Sequence, residues 1–563
     1  KAGSVAAGNV KAGERLYRHG LTHDGSPVEA VTQGDVAVQG EAFACAACHR
    51  PSGFGSSEGG TYVPPITSDF LFGASQFDRK KRNERFKELF KEAQPNSFWS
   101  RVRQARARPA YDRESLGRAL REGVDPAGRE LHRLMPRYRL DDRDVANLTA
   151  YLRTLSAEID PGVGEDKIHF ATVVTPEAKP ARREAFLHTV RTFADWMNED
   201  TANDQRFPDF SPYYRSEFLH AYRLWDIHVW ELEGPPETWR AQLEAKYAEQ
   251  PVFAVISGLS PEPWAPVADF CDSEDLPCLL PHTPLPRTAD AEGAYSLYFN
   301  RGLALQGEVA AEALRDGLDS AAAPRQIHIA GPQGRTPARA LANAWGEGAW
   351  GEGTSEADAS TLTTQRVADG KALAAAVRDA VAADSTRPLA IWPGDSAGDV
   401  VAALNAAGAE AGQTEAGEAA LPPVVLPDSA LDAVRGALDP VWHDKLRVVW
   451  PYEVPGAYHP RRFRIRAWFN TRGIPIKAPR MQLNTYYALT MIQYSLGHMI
   501  DDFHRDYMIE IIEHEAENRL NPGTFPKLAL GPGQRFASKG AYMVAPDPEA
   551  KDGYRPVSDW IVP

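Results

Sequence analysis

The stretch Cys45-Ala46-Ala47-Cys48-His49 constrains this chain more than any other. Two thiols stand three positions apart, and an imidazole follows at once. At that spacing the thiols can add across the two vinyl groups of a haem and fix the plane of the porphyrin. The next residue then lies beneath the iron as an axial ligand. A redox dithiol and a pair of zinc ligands are the plain alternatives. The adjoining histidine and a suitable second ligand downstream favour the haem, and one covalent haem c is expected.

That second ligand is Met135. It is the only methionine before residue 197 and sits in Leu134-Met135-Pro136, just ahead of a helical stretch. A thioether opposite imidazole raises the iron's potential and favours electron transfer over oxygen chemistry. A core methionine filling a gap is the ordinary alternative. His132, His19 and His23 are the other candidate ligands.

These residues carry a resemblance to the class I c-type cytochromes. The matching stretches are Ala12-Gly13-Glu14-Arg15-Leu16-Tyr17, Cys45-Ala46-Ala47-Cys48-His49, Pro64-Pro65-Ile66 and Met135-Pro136-Arg137-Tyr138. Asp144-Val145-Ala146-Asn147-Leu148-Thr149-Ala150-Tyr151-Leu152 completes the set. The resemblance implies an all-α domain over residues 1–156. It implies that Gly13 lets the first helix cross closely over Tyr151 of the last. It also implies that the carbonyl of Pro64 or Pro65 holds the second nitrogen of His49.

The span from Ile66 to Met135 is longer than a minimal member of that family needs. It holds thirteen Lys/Arg between Arg79 and Arg118 against five acids, although the whole chain has a net charge of −14. A solvated insertion is the ordinary reading, since charge runs usually face water. A docking face for an acidic redox partner is the sharper one. The overall negative charge argues against nucleic acid as a partner. No run of about 18 apolar residues occurs, so no membrane span is expected.

Residues 157–167, with Pro161, Gly162 and Gly164, are expected to be a linker. Beyond it the texture changes. Strand-like runs are Ile168–Val174, Ile227–Leu232, Val252–Ile256, Cys278–Leu280, Gln326–Ala330, Leu389–Trp392, Pro423–Leu426 and Leu446–Val449. Helical stretches between them are Ala178–Trp196, Pro236–Ala248, Leu303–Asp316, Pro337–Trp345, Gly370–Ala383 and Asp399–Ala407. This alternation indicates βαβ units and parallel sheets, two rather than one for some 390 residues. Ala406 to Ala420 is Ala-, Gly- and Glu-rich and reads as solvated surface or a loop. Two long helical patterns, Leu483–Gly497 and Met499–Asn518, come near the end.

In order of pattern and phrase, residues 168–563 resemble the type I periplasmic binding proteins, receptors of the branched-chain amino acid type. The matching stretches are Phe170-Ala171-Thr172-Val173-Val174, Val255-Ile256-Ser257-Gly258, Leu276–Thr283 and Tyr298-Phe299-Asn300-Arg301-Gly302. The fold expected for the whole chain is therefore multidomain: an all-α cytochrome c domain, then a two-lobed α/β binding-protein-like domain. Ligands in such folds meet strand ends and helix N-termini. The candidate cleft residues are Thr175, Ser257, Gly258, His282, Thr283, Tyr298, Trp450 and Tyr452. By the same resemblance, Ser257 and Thr283 would hold a carboxylate and Glu453 an ammonium group. Each is equally readable as a cap or core residue.

Cys271 and Cys278 are candidates for a disulfide, since a short loop can bring them together and an oxidising compartment permits the bond. Gly331-Pro332-Gln333-Gly334-Arg335-Thr336 lacks the Gly-Lys-Ser/Thr of a phosphate loop and reads as a structural βα turn. Asp501, His504 and Met508 fall near one helix face, a copper-like set that ordinary packing explains as well. Neither a nucleophile elbow nor a dinucleotide fingerprint occurs.

The function expected is a periplasmic monohaem electron carrier fused to a module that binds a small amino-acid-like or amide solute, or a partner. That partner is expected to be a periplasmic redox protein such as a dehydrogenase. The opening Lys1-Ala2-Gly3 reads as the end left after a signal peptide is removed. A haem enzyme oxidising a substrate held in the second domain, and a redox-linked sensor or scaffold, are the alternatives.

Overall fold

A computed structural model describes residues 8–58, 61–73, 108–206, 223–288, 295–316, 323–346, 362–411, 421–454, 456, 460–499, 502–518 and 521–563. The basic residues between 79 and 107 lie outside them. The chain divides into two compact units. The first comprises residues 1–161, the described part of 202–222, and Leu496–Glu510. The second comprises Gly162–Thr201, Arg223–Ser495 and Ile511–Pro563.

The first unit is framed by helices with legible ends. α1 (Val10–His19) is capped by the Asn9 side chain and closed by Gly20 in the left-handed conformation. Between them come β1 (Glu29–Thr32), β2 (Val36–Gln39), the single turn α2 (Cys45–His49), β3 (Ser56–Glu58), β4 (Thr61–Val63) and α3 (Ser68–Phe72). α4 (Arg113–Glu122) starts in a capping box between Asp112 and Ser115. β5 (Arg137–Tyr138) and α5 (Asp142–Leu152), capped by Asp141, complete the unit. Such side-chain caps satisfy helix N–H groups that would otherwise be orphaned. The core joins Leu16 and Tyr17 of α1 to Leu116 and Leu120 of α4 and to Val145, Leu148, Tyr151 and Leu152 of α5.

The expectation of an all-α first domain is corrected here. β1 pairs antiparallel with β2 and with β5, and β3 pairs antiparallel with β4. The reason is local: Gly34 and Asp35 take positive φ, +80° and +57°. They turn the chain back between Ala30-Val31 and Val36-Ala37-Val38, which then pair as a hairpin.

The second unit contains two sheets. The first is built from β6 (Lys167–Val174), β7 (Leu224–Glu231), β8 (Ala254–Ile256), β9 (Cys278–Leu279) and β10 (Ser296–Leu297). They lie side by side in the order β10-β9-β8-β6-β7, every pair parallel. α6 (Pro180–Arg206), α7 (Trp239–Glu249) and α8 (Ala265–Ser273) connect them.

α9 (Gly302–Asp316) leads to the second sheet. It runs through β11 (Arg325–Ile329), α10 (Pro332–Trp345), β12 (Thr363–Val367), α11 (Gly370–Ala383), β13 (Leu389–Trp392), α12 (Ala397–Ala411), β14 (Val424–Leu426), α13 (Leu431–Ala437) and β15 (Leu446–Trp450). The helices α14 (Pro460–Thr471), α15 (Pro479–Met499) and α16 (Arg505–Asn518) follow, then β16 (Tyr542–Pro546) and β17 (Tyr554–Pro556). The order is β12-β11-β13-β14-β15-β16-β17, parallel up to β15 and antiparallel thereafter.

Both sheets thus repeat one winding. The first strand of each lies between the second and the third, and the direction of winding reverses at that point. Open α/β sheets wound in this way gather ligands outside the strand C-termini at the reversal. The central strands β8, β13 and β14 are fully buried, which is why they read as unbroken apolar runs. α12 extends to Ala411, so the start of the Ala406–Ala420 stretch is helix rather than loop. Among the described residues no helix is long and apolar enough to cross a membrane.

Candidate functional site

His49 ends the turn α2 and is buried. Its Nδ1 lies 3.0 Å from the Pro64 carbonyl oxygen. A carbonyl can only accept, so Nδ1 carries the proton and Nε2 keeps its lone pair, the tautomer of a metal ligand. Burial also pushes the imidazole pKa down, partly opposed by that carbonyl. The ring is therefore neutral and ready to donate.

The close approach depends on Gly55, whose φ is +83° and whose N–H donates to the His49 carbonyl at 3.0 Å. A Cβ on Gly55 would stand 2.3 Å from the Val63 carbonyl oxygen and 3.0 Å from that of Pro64. Of the two adjoining prolines, Pro64 makes the bond to His49. Pro65 follows it without one.

Cys45 is half-buried and Cys48 exposed, and both are thiols. Met135 packs against the same core as Cys45 and Ala46. Its loop is braced from both sides. The Met135 N–H donates to the His132 carbonyl at 3.0 Å, and Arg137 donates to the Met135 carbonyl and, at 3.0 Å, to that of Leu131. The other candidate ligands are engaged elsewhere. The backbone N–H of His23 donates to the buried Asp144 and its ring lies 3.1 Å from the same carboxylate. His132 Nδ1 accepts from the Leu134 N–H, and His19 is exposed near Glu41.

Gly13 of α1 sits where a Cβ would meet the Asn147 carbonyl oxygen at 2.1 Å and the Tyr151 Cβ at 2.8 Å. Tyr17 packs its ring 5.2 Å from that of Tyr151 and donates its hydroxyl to the Arg50 carbonyl at 2.7 Å. The crossing of α1 over α5 thereby steadies the residue that follows His49. One turn bearing two thiols, a neutral imidazole with its outer nitrogen fixed and a braced thioether loop form a donor set that fits covalent haem.

Residues 38–156 match the family model "Cytochrome c". The cytochrome c segment thus begins at β2 and ends just beyond α5. It includes the thiols, His49, Pro64 and Met135, and it implies covalently bound haem c. No curated protein matches the chain at a significant level. Solved structures similar to it include a fatty acid ABC transporter substrate-binding protein from Thermomonospora curvata. That protein is 14% identical, with 72% of this chain and 95% of that one covered and a TM-score of 0.49. A branched chain amino acid ABC transporter from Thermus thermophilus with bound valine is 10% identical, covering 71% and 98% at a TM-score of 0.49.

In the second unit the strand ends place the expected cleft residues unevenly. Thr175 follows β6, and its hydroxyl donates to Ser260 Oγ at 3.1 Å, both residues being buried. Ser257 is fully buried with φ +56°, and its hydroxyl donates to the Leu280 carbonyl. Gly258 follows in the same turn at φ +142°. Thr283 Oγ1 accepts from the Leu285 N–H at 3.0 Å, as the cap of a turn. His282 gives its Nε2–H to Thr485 Oγ1 at 2.8 Å, because the Thr485 hydroxyl itself donates to the Met481 carbonyl. Burial and the charge of Arg182 push His282 down, which keeps the ring neutral. Tyr298 is buried and stacks on Phe536 with centroids 5.3 Å apart.

Sequence reasoning missed the polar groups at the winding reversals. Glu262, just beyond β8, has its carboxyl pKa raised by burial and then by the charges of Glu177, beyond β6, and Asp395, beyond β13. Gln333 of α10 donates to the Pro261 carbonyl at 3.4 Å, linking the ends of the two sheets.

A second group lies beyond β14 and β15. The guanidinium of Arg480 sits 3.6 Å over the ring of Tyr452 and 4.7 Å over that of Trp450, with Asp428 Oδ2 3.6 Å away. Gln306 holds Asp428 by two hydrogen bonds, at 2.7 and 2.9 Å. Glu453 caps the Val454 N–H with its own carboxylate. Alternation around single strands gives no sign of Arg480, because it starts α15, far along the chain from Tyr452.

Cys271 and Cys278 are joined as a disulfide, with Cα atoms 6.2 Å apart. Of the copper-like set, Asp501 lies outside the described residues, Met508 is fully buried in packing, and the His504 ring is 5.7 Å from that of Phe54. Gly331, at φ +108°, leads directly into α10 and serves as a plain βα turn.

Proposed function

We propose that this protein is a periplasmic monohaem electron carrier joined to a module that binds a small solute. The observation that carries the reading is the buried His49, one residue after Cys48, with its Nδ1 fixed on Pro64. Covalent haem c in this segment supplies a one-electron couple. Cys45 and Cys48 would hold the porphyrin, and His49 through Nε2 and Met135 from its braced loop would be the residues that hold the iron. Pro64 orients the imidazole, and Arg137 fixes the Met135 backbone. Held by two protein donors, the group would pass electrons and would not take substrates at the iron.

The second module is a two-lobed receptor, its lobes built on the two sheets. Its repeated winding and the carboxylates of Glu177, Glu262 and Asp395 support a cleft that receives the ammonium or amide end of a small solute. Opposite polarity comes from Arg480, held over Tyr452 and Trp450. A periplasmic dehydrogenase is the redox partner this pairing suits, with solute binding in the second module accompanying electron delivery to the first.

The protein exported with covalent haem attachment tests the first half of the reading. We expect one haem c per chain by pyridine haemochrome assay and a low-spin six-coordinate oxidised spectrum with a sulfur-to-iron band. A colourless protein, or an iron that binds carbon monoxide readily when reduced, would sink it. A thermal-shift screen with amino acids, amides and amines tests the second half.

A further inference from the structure

A group of metal-binding residues lies in the first sheet of the second unit, at the end of the strands opposite to the cleft. β6 and β7 run parallel in the register Lys167↔Leu224, His169↔Asp226, Ala171↔His228. His169, Asp226 and His228 therefore share one face. Further along, the same face buries Ala171, Val173 and Trp230 against Trp239. At its start it is open to solvent and carries two imidazoles and a carboxylate. The other face is apolar there, with Phe170 against Trp225 at 5.3 Å.

The donor atoms converge. His169 Nδ1 is 3.0 Å from His228 Nε2 and 3.8 Å from Asp226 Oδ2, and one ligand atom from each residue lies within 4.8 Å of the others. Tetrahedral zinc with bonds of about 2.0–2.1 Å separates neighbouring donors by about 3.3 Å, so these three need only small adjustments. We propose that His169, Asp226 and His228 form a site for a divalent ion of the zinc–copper class, held between β6 and β7.

Two imidazoles with one carboxylate suit zinc and copper rather than magnesium or calcium, which prefer all-oxygen sets. Each ring would carry its proton on the nitrogen facing away from the ion, His169 on Nε2 and His228 on Nδ1. In the absence of metal the rings share a hydrogen bond, and the ion takes the place of that shared proton. Lys167, the competing cation among the described residues, pairs with Asp226 at 3.4 Å. Its side chain is half-exposed and free to turn into water. Three ligands on two paired strands are rigidly placed and leave the fourth position to water. The ion would fasten β7, the edge strand, to β6.

Zinc is the probe. The tag-free full chain, stripped with chelator, is dialysed against micromolar zinc and its metal content measured together with zinc-edge X-ray absorption. We expect one tightly held zinc with the scattering of two imidazoles and a rise in melting temperature. In His228→Ala and Asp226→Asn affinity should fall at least tenfold. The other described cluster, His23 with Asp141 and Asp144, offers a single imidazole and would give a different spectrum. Failure to retain zinc, a spectrum with fewer than two imidazoles, or uptake by both variants equal to that of the wild type would overturn the proposal. If either variant misfolds, the wild-type absorption spectrum alone decides.

Discussion

Ser52 holds both oxygens of the buried Glu510 carboxyl group. Its backbone N–H donates to Oε1 at 2.8 Å and its hydroxyl to Oε2 at 2.6 Å, and both residues belong to the first unit. Burial nevertheless dominates and pushes the carboxyl pKa up to about 8. The Ser52 bonds and Arg50 oppose that shift, and Asp506 adds to it.

A pKa raised in the folded state means that the folded protein holds a proton the unfolded chain has lost. Stability is then full below the ordinary carboxyl pKa and falls as pH rises toward about 8, by up to about 1.4 kcal/mol per pH unit for a single group. Denaturant unfolding followed by Soret absorbance should show this decline between pH 5 and 8. Glu510→Gln keeps a neutral hydrogen-bonding group in place and should flatten the curve. An unchanged slope in the variant would exclude Glu510 as the source.

Gly55→Ala should damage the haem site without touching a ligand. The added Cβ meets the backbone of Val63 and Pro64, and φ at this position is positive, so strain and displacement combine. A cost of about 1–3 kcal/mol is expected. With Pro64 displaced, His49 loses its orienting acceptor. The midpoint potential should shift and the yield of haem-bearing protein fall, as read by voltammetry and haemochrome assay. Gly13→Val tests the same principle at the crossing of α1 and α5. It should destabilise the first unit by a similar amount with little change in potential.

Met135→Ala should abolish the sulfur-to-iron band of the oxidised protein, lower its midpoint potential and open the iron to carbon monoxide. His132→Ala should leave all three unchanged. Loss of the band in the second variant and not the first would reverse the assignment of the sixth ligand.

The cytochrome c segment was legible because covalent haem attachment demands thiols and an imidazole at fixed spacing in a short stretch, Cys45 to His49. The crossing of Gly13 over Tyr151 was legible through the resemblance, since only a small residue permits it. Buried central strands such as Leu389–Trp392 announced themselves as apolar runs. β12, Thr-Thr-Gln-Arg-Val at the sheet edge, did not, because its exposed positions are polar. Ser257 and Thr283 looked like ligand hydroxyls in the linear chain. Thr283 spends its hydroxyl on a local turn and Ser257 on the Leu280 carbonyl, 23 positions away, neither of which residue types encode. Glu510 is hardest of all to foresee, since its partner is Ser52, 458 positions away.

The groups at the winding reversals give the last prediction. Glu262 lies under the fields of Glu177 and Asp395, so a cationic group entering there relieves repulsion as well as making a hydrogen bond, whereas a neutral amide makes the hydrogen bond alone. Glu262→Gln keeps the shape and removes the charge. If an amine is the ligand, affinity in the variant should fall about tenfold or more, the range of a charge-assisted hydrogen bond of about 1.5–3 kcal/mol. For a neutral amide the loss should be much smaller. Arg480→Met keeps the stem that packs on Tyr452 and Trp450 but removes the cation, so it should weaken binding only of ligands bearing an anionic group. Isothermal titration of both variants with an amine, an amide and an amino acid separates these cases. Equal affinities in the wild type and both variants would place solute recognition elsewhere in the second unit.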